Sequence, residues 1–455
     1  MLKPVSWQRW LAPLVLVTLL PGCVTTPVQP DYQARLRQEQ ENLPVWPVQQ
    51  AAEKTVFLTD LVESEQLSVL LETAFANNPG LQQTWITLQQ RRAQLKQSDA
   101  ARLPQVSAGF NTSHSEDAAD SFSSQIEISW QADLWGKLAA GSRAAATDIV
   151  EQENLFQAAR DSLAAEVMIA WLNLTATTHA IEIEQHRLAS LSQNETFIVQ
   201  RYRNGIGTME DLDNARSAVS QSKASLEANR ELSRQQQRDL RQLLGTSSAE
   251  TVTTQADYPD VALPLADLPS QTLARRPDLQ AAYSAIEAAQ LRTDVAYKEL
   301  LPSINLGAAL EDIAATPHEA LLASPVWSLL GQLTAPIFQG GELRANAELA
   351  ELETAYQYQT YRDTLLTAVN EIEQTLSREK SLQIQQQHIE SALSSARNSL
   401  EQYQRSYRTG LVDILDLLSV QQQTFDLQAQ LDNLIFQRLS NRISLGLALG
   451  LGVRA

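Results

Sequence analysis

The chain has one cysteine, Cys23, so an intrachain disulfide is excluded. Glycine and proline are scarce, at 16 and 17 of 455 residues, and aromatics make up only 6%. That scarcity argues against a string of compact α/β domains, and the abundance of Ala, Leu, Gln, Glu, Ser and Arg points to long helices. Positive charge is also short. The 35 Lys and Arg are outnumbered by 53 Asp and Glu, and a net charge of −18 disfavours nucleic acid as a partner. No stretch approaches the ~18 consecutive apolar residues of a membrane-spanning helix. There is no phosphate-cradling glycine loop, HExxH, CxxC or GxSxG. His179, Glu182 and His186 share a helix face, which fits a solvated polar face better than a metal site. No enzyme activity, cofactor or metal is expected.

The N-terminus supplies what the rest lacks. Lys3 and Arg9 precede an apolar stretch, Leu11–Leu20, in the pattern of a secretory signal too short to span a bilayer. Its end, Leu20-Pro21-Gly22-Cys23, resembles a bacterial lipobox, with Pro21 where a small residue is usual. That resemblance implies cleavage after residue 22 and lipidation of Cys23. Residues 23–60 contain Pro and Gln, lack a period, and are expected to form an extended lead-in.

The most informative stretch is Phe122–Lys137. Phe122, Ile126, Ile128, Trp130, Ala132 and Leu134 alternate with Ser123, Gln125, Glu127, Ser129, Gln131 and Asp133, and only Ser124 breaks the pattern. This is a strand with one apolar and one polar face. It runs directly into residues 136–203, which contain no Pro. A helix of that length would reach on the order of 100 Å.

From residue 61 the sequence repeats itself. Pro79 and Pro277 each open a helix and Pro104 and Pro302 each close one, 198 residues apart in both cases. Tyr202-Arg203-Asn204-Gly205 returns 205 residues later as Tyr407-Arg408-Thr409-Gly410, and Asp211-Leu212 as Asp416-Leu417. The offset grows because the second strand pair carries a longer loop, around 312–324. Each half is expected to run helix, strand, strand, long helix, turn, helix, over 61–245 and 271–445. A Pro-containing linker, 246–270, joins them, and a tail, 446–455, follows. A polar loop, 113–121, separates the first strand pair; Trp327, Leu329, Leu333 and Ile337 belong to the last strand. Leu163, Val167, Ala170, Leu174 and Thr177 begin a 4,3 spacing that continues to Tyr202. Ile389 to Tyr407 keep the same spacing, and Leu411, Leu415, Leu418, Gln422, Phe425 and Ala429 carry it past the turn. Such a period means side-by-side coiled-coil packing.

The four strands are roughly 10–13 residues each, and about 9–11 tilted residues cross a membrane, but four cannot close a barrel, whose smallest membrane form has about eight. Open edges in lipid leave backbone groups unpaired. The chain must therefore oligomerise: two copies would give eight strands with a lumen filled by side chains, and three would give twelve, with room for a channel.

At this point the chain resembles the TolC/OprM-type outer-membrane efflux proteins, in their lipoprotein branch. The lipobox, Arg275-Arg276-Pro277-Asp278-Leu279, the return strand at 327–341 and the paired Tyr-Arg-x-Gly turns carry the likeness. The resemblance implies a mostly α chain that trimerises into a 12-stranded β-barrel on a 12-helix α-barrel. It implies an outer-membrane, lipid-anchored location extending into the periplasm. The expected function is a passive duct for drugs or other small molecules. The implied partners are a periplasmic adaptor and an inner-membrane pump, in the family most often proton-driven. Val412–Asp416 resembles the stretch in which two aspartates ring the family's periplasmic constriction. This makes Asp413, Asp416, Tyr407 and Arg408 gate candidates, and the turns holding Arg203, Gly205, Gly410 and Leu411 adaptor-docking candidates. A competing explanation of the aspartates is that acidic residues suit a helix N-terminus. The alternative for the whole chain is a lipid-anchored periplasmic coiled-coil scaffold without a pore.

Overall fold

The computed structural model describes residues 31–41, 57–116, 118–247, 252, 257–264 and 274–454. The signal segment and Cys23 lie outside them. Described elements in order are α1 (Tyr32–Glu41), α2 (Glu65–Asn77), α3 (Pro79–Ala100), β1 (Gln105–Ser115), β2 (Ala118–Ala132), α4 (Lys137–Arg203) and α5 (Met209–Leu243). Then come α6 (Pro277–Lys298), β3 (Ser303–Ala314), β4 (Val326–Thr334), α7 (Glu342–Arg408) and α8 (Ile414–Ala448). The repeat is exact in length where it matters: α3 and α6 have 22 residues each, α4 and α7 have 67, and α5 and α8 have 35. Among the described residues no helix is long and apolar enough to cross a membrane.

The chain divides into two compact units. One holds the sheet and the strand–helix junctions. Its strands run in the order β1-β2-β3-β4, all antiparallel, so β1 and β4 are open edges. The register places Ala108, Ile126, Leu310 and Trp327 in one row, and Val106, Ile128, Ala308 and Leu329 in the next. A continuous apolar face therefore crosses all four strands, with Leu310 half-buried and Val106, Ile126, Ile128, Trp327 and Leu329 exposed. The opposite face carries Ser107, Gln125, Glu127, Glu311 and Gln332.

Ser124, the break in the alternation, has a structural explanation. It lies opposite Asp312, and the β3–β4 loop folds over both: the Ser124 hydroxyl donates to the Ala320 carbonyl, and the Ser324 N–H donates to Asp312 Oδ2 at 2.9 Å. Two polar residues are tolerated in an apolar row because each is buried with a partner.

The other unit is helical. Its core gathers Leu61, Leu67, Met168, Trp171, Leu240 and Ile443. The 4,3 seam of α4 is buried or half-buried as far as Ile198. Its charged positions are partnered: Glu184 Oε1 accepts from Ser222 at 2.6 Å, and Glu195 Oε1 lies 3.8 Å from Arg216 Nε. In each repeat a short helix starts where a longer one ends. Asn78 Nδ2 donates to the Leu243 carbonyl at 2.8 Å, and Arg276 Nη1 donates to the Ala448 carbonyl at 3.1 Å. These are the same positions of the two repeats, with both donors satisfying last-turn carbonyls that an α-helix leaves open. The approach is close enough that a Cβ on Gly245 would sit 2.2 Å from the Asn77 carbonyl oxygen.

Several expectations need correction. The lead-in is not extended throughout, since α1 forms there with Asp31 Oδ1 accepting from the Ala34 N–H. The loop expected at 113–121 is a tight hairpin, because β1 reaches Ser115 and β2 starts at Ala118. Ile337 is past β4, which ends at Thr334 two residues before Pro336. The first buried positions of α8 are Ile414, Leu417, Gln421 and Thr424, and Leu411 and Leu415 are exposed. Counting heptads straight through a reverse turn ignores that the turn resets the phase. Residues 449–454 are no loose tail: Leu451 and Val453 join the core, and the Leu58 N–H donates to the Gly452 carbonyl at 2.9 Å. His179 belongs to no solvated face. Its Nδ1 lies 2.8 Å from Asp432, which also accepts from the Tyr258 hydroxyl at 3.0 Å.

Candidate functional site at the helix turns

The two helix turns are built alike. In each, glycine takes a left-handed conformation, with φ 72° at Gly205 and 77° at Gly410. The N–H of Gly205 bonds to the Tyr202 carbonyl and that of Ile206 to the Arg201 carbonyl. Gly410 and Leu411 make the same pair to Tyr407 and Ser406. This pattern closes a helix around a positive-φ residue. Arg203 and Leu411 are exposed beside these glycines.

The next helix then starts with a cap. Thr208 Oγ1 accepts from the Asp211 N–H, and Asp211 Oδ2 accepts from the Thr208 N–H, both at 3.1 Å. At the matching position Asp413 Oδ1 accepts from the Asp416 N–H at 2.9 Å. Capping therefore accounts for a polar side chain at both positions. The cap does not require a carboxylate, since Thr208 serves where the second repeat has Asp413, and the first repeat carries its own acidic first turn with Glu210 and Asp211.

The tyrosines differ. Tyr407 is 8% exposed, and its counterpart Tyr202 is 43% exposed. Tyr407 sits in an apolar cluster with Ile198, Leu212, Ile414 and Leu417. Phe197 meets it edge-to-face at 5.8 Å, and the Arg201 guanidinium lies 5.5 Å from its ring centre. Arg201 also donates to the Ile206 carbonyl at 3.3 Å, tying this pocket to the first turn. Burial raises the Tyr407 pKa, the nearby Asp211 charge adds to the rise, and Arg201 opposes it. Phe197 and Arg201 escaped the sequence reading. The signal was present: the second repeat has Gln402 and Ser406 at these positions, so the pocket is made where the repeats diverge. Arg408 is exposed and pairs with no described residue, so within one chain it holds nothing closed.

The chain matches the family model for outer membrane efflux proteins over residues 70–246 and 268–451, and it belongs to that family. It is a channel protein of the outer membrane with the fold of the solved efflux channels. It is 27% identical over 410 residues to the pyoverdine export outer membrane protein OpmQ of Pseudomonas putida, covering 86% of this chain and 87% of that one. It is also 27% identical over 398 residues to the cation efflux system protein CusC of Escherichia coli, covering 85% and 86%. The Campylobacter jejuni CmeC outer membrane channel superposes with a TM-score of 0.84 at 20% identity, covering 89% of this chain and 90% of that one.

Proposed function

We propose that three copies of this chain form a passive duct through the outer membrane and act as the exit of a tripartite export system with a periplasmic adaptor and an inner-membrane pump. The observation that carries this is the sheet. One exposed apolar face crosses four strands, and both edges are unpaired. In lipid each unpaired backbone group costs several kcal/mol. Joining β4 of one copy to β1 of the next removes every edge and makes twelve strands from three chains. The apolar face then meets lipid, and the face with Gln125, Glu127 and Glu311 lines the passage. Cys23 carries the lipid anchor, and Cys23→Ser should abolish labelling by fatty acid.

The helix turns close the periplasmic end. Asp413 and Asp416 of three chains put six carboxylates around the constriction and select cations. Tyr407, packed on Arg201 and Phe197, holds the turns of one chain together. The exposed turn residues Arg203, Gly205, Gly410 and Leu411 meet the adaptor. Two measurements test the reading. Cross-linking in detergent should stop at three subunits, and a ladder ending at two would overturn the closure. In planar bilayers, Asp413→Ala with Asp416→Ala should weaken cation selectivity and block by multivalent cations; full retention of both would leave the two aspartates as helix caps only.

A further inference from the structure

We propose that a cavity walled by α4, α6, α7 and α8 binds a protonated aliphatic diamine, with Asp161 and Glu371 as the charged partners.

The cavity lies wholly within the helical unit, where α6 begins beside the end of α8. Its volume is about 450 Å³, within the range of small-molecule sites. Three carboxylates line it, Asp161, Asp278 and Glu371, against one guanidinium, Arg276. The positive groups are already answered. Arg276 Nε and Nη2 donate to Asp278, and its Nη1 donates to Glu371 and to the Ala448 carbonyl. At the N-terminus of α6, Asp278 Oδ1 accepts from the Leu279 N–H at 2.9 Å. What remains uncompensated is negative charge, which selects a cation.

Asp161 is the clearest sign of a ligand. It is only 3% exposed, yet it lines the cavity. Its Oδ1 accepts from Gln157 at 2.8 Å and from the Val453 N–H at 2.9 Å, while Oδ2 accepts from no described residue. Arg160, the cation nearby, is engaged elsewhere: it donates to the Arg454 carbonyl at 2.9 Å and lies 4.8 Å from the Phe75 ring centre. A buried ionised carboxylate without a counter-charge is costly, and burial holds the Asp161 pKa above its ordinary value. An ammonium group would supply the counter-charge and donate to Oδ2.

Glu371 offers a second acceptor nearer the solvent. Its Oε2 takes the Arg276 bond, its Oε1 takes none from a described residue, and its side chain is 47% exposed. Ala158, Leu447 and Ala448 add aliphatic wall, which suits a methylene stem. A bare metal ion fits poorly, because among the described residues no group of three His, Cys, Asp or Glu is placed to hold one. Nor does the helix junction need these charges in order to form. In the first repeat Asn78 and Gly80 stand where Arg276 and Asp278 stand, and that junction closes all the same.

The test measures binding of cadaverine, a five-carbon diamine, to full-length protein purified in detergent. Equilibrium dialysis is run in about 0.15 M salt, which screens diffuse attraction. One saturable site per chain is expected, and its occupancy should raise the thermal midpoint. Asp161→Asn keeps an acceptor for the Val453 N–H and should weaken binding at least about tenfold. Ala158→Leu leaves every charge in place but fills the cavity, and should weaken binding as much. Asp413→Ala with Asp416→Ala should bind like the parent; loss of binding there would put the cation at the helix turns and overturn the proposal. It is also overturned if the parent shows no saturable binding, because water or a neighbouring copy fills the cavity. Full affinity in Asp161→Asn, or equal competition by magnesium, overturns it as well.

Discussion

Replacing Tyr407 by alanine should open the periplasmic end. The substitution removes an edge-to-face contact with Phe197 of about 0.5–1.5 kcal/mol. It also removes the Arg201 stacking, about 0.5–1 kcal/mol where partly exposed. Ring burial adds to both, since full burial of a large side chain contributes about 1.5–3 kcal/mol. Only the part lost when the turns separate affects the gate. If that share is about 2 kcal/mol per chain, the closed-to-open ratio falls roughly 30-fold per chain. Three chains opening together lose about 6 kcal/mol, more than the ~5.5 kcal/mol that moves an equilibrium from 1:99 to 99:1. Single-channel recording in planar bilayers should therefore show a largely open pore for Tyr407→Ala. Tyr407→Phe keeps the ring and loses only a hydroxyl interaction of about 0.5–1.5 kcal/mol, so it should rise modestly. Arg201→Ala should resemble the alanine variant in part. An intact Tyr407→Ala trimer with unchanged conductance and open probability would refute the reasoning, because the pocket would then not change on opening.

Other outcomes follow from the same structure. Arg276 binds Asp278 through two nitrogens at 3.0 and 2.6 Å, and also Glu371 and the Ala448 carbonyl. Arg276→Ala should cost on the order of 3 kcal/mol in thermal unfolding, and lysine, which lacks the planar fork, should rescue poorly. Lysine at Ile128 should impair membrane insertion by about 2–4 kcal/mol near the midplane, while lysine at Gln125 is tolerated; equal harm in a folding assay into vesicles would mean the sheet faces are misassigned. Burial holds the Asp161 pKa above the usual carboxylate range, against the hydrogen bonds from Val453 and Gln157. The folded protein thus binds this proton more tightly than the unfolded chain, and ionised Asp161 lowers stability at neutral pH. The penalty is relieved as pH falls through the folded pKa. Asp161→Asn, which keeps an acceptor for the Val453 N–H, should be more stable than the parent at pH 7. The difference should shrink toward pH ~4, near the unfolded aspartate pKa, and a pH-independent difference would count against this assignment.

Periodicity and repetition made much of this protein legible in its residues. Alternation from Phe122 to Trp130 defines a strand with unlike faces, because successive side chains of a strand point to opposite sides. Uninterrupted helix formers from 137 to 203 define α4, and the 198- and 205-residue offsets locate α6, α7 and α8 from their counterparts. Glycine and its neighbours likewise define both turns, since the closing motif is local. What the tertiary structure decided was everything that depends on distant residues meeting. Ser124 looked like a flaw until Asp312 and the loop carbonyl of Ala320 came to cover it. The α8 seam is shifted by one position because packing across a reverse turn, and not the spacing along the chain, sets which side faces inward. Tyr202 and Tyr407 stand in the same local motif, yet only Tyr407 is buried, because Phe197 and Arg201 on another helix form its pocket. Local signals cannot separate two such copies, since the energy that distinguishes them lies in contacts between residues some 200 positions apart.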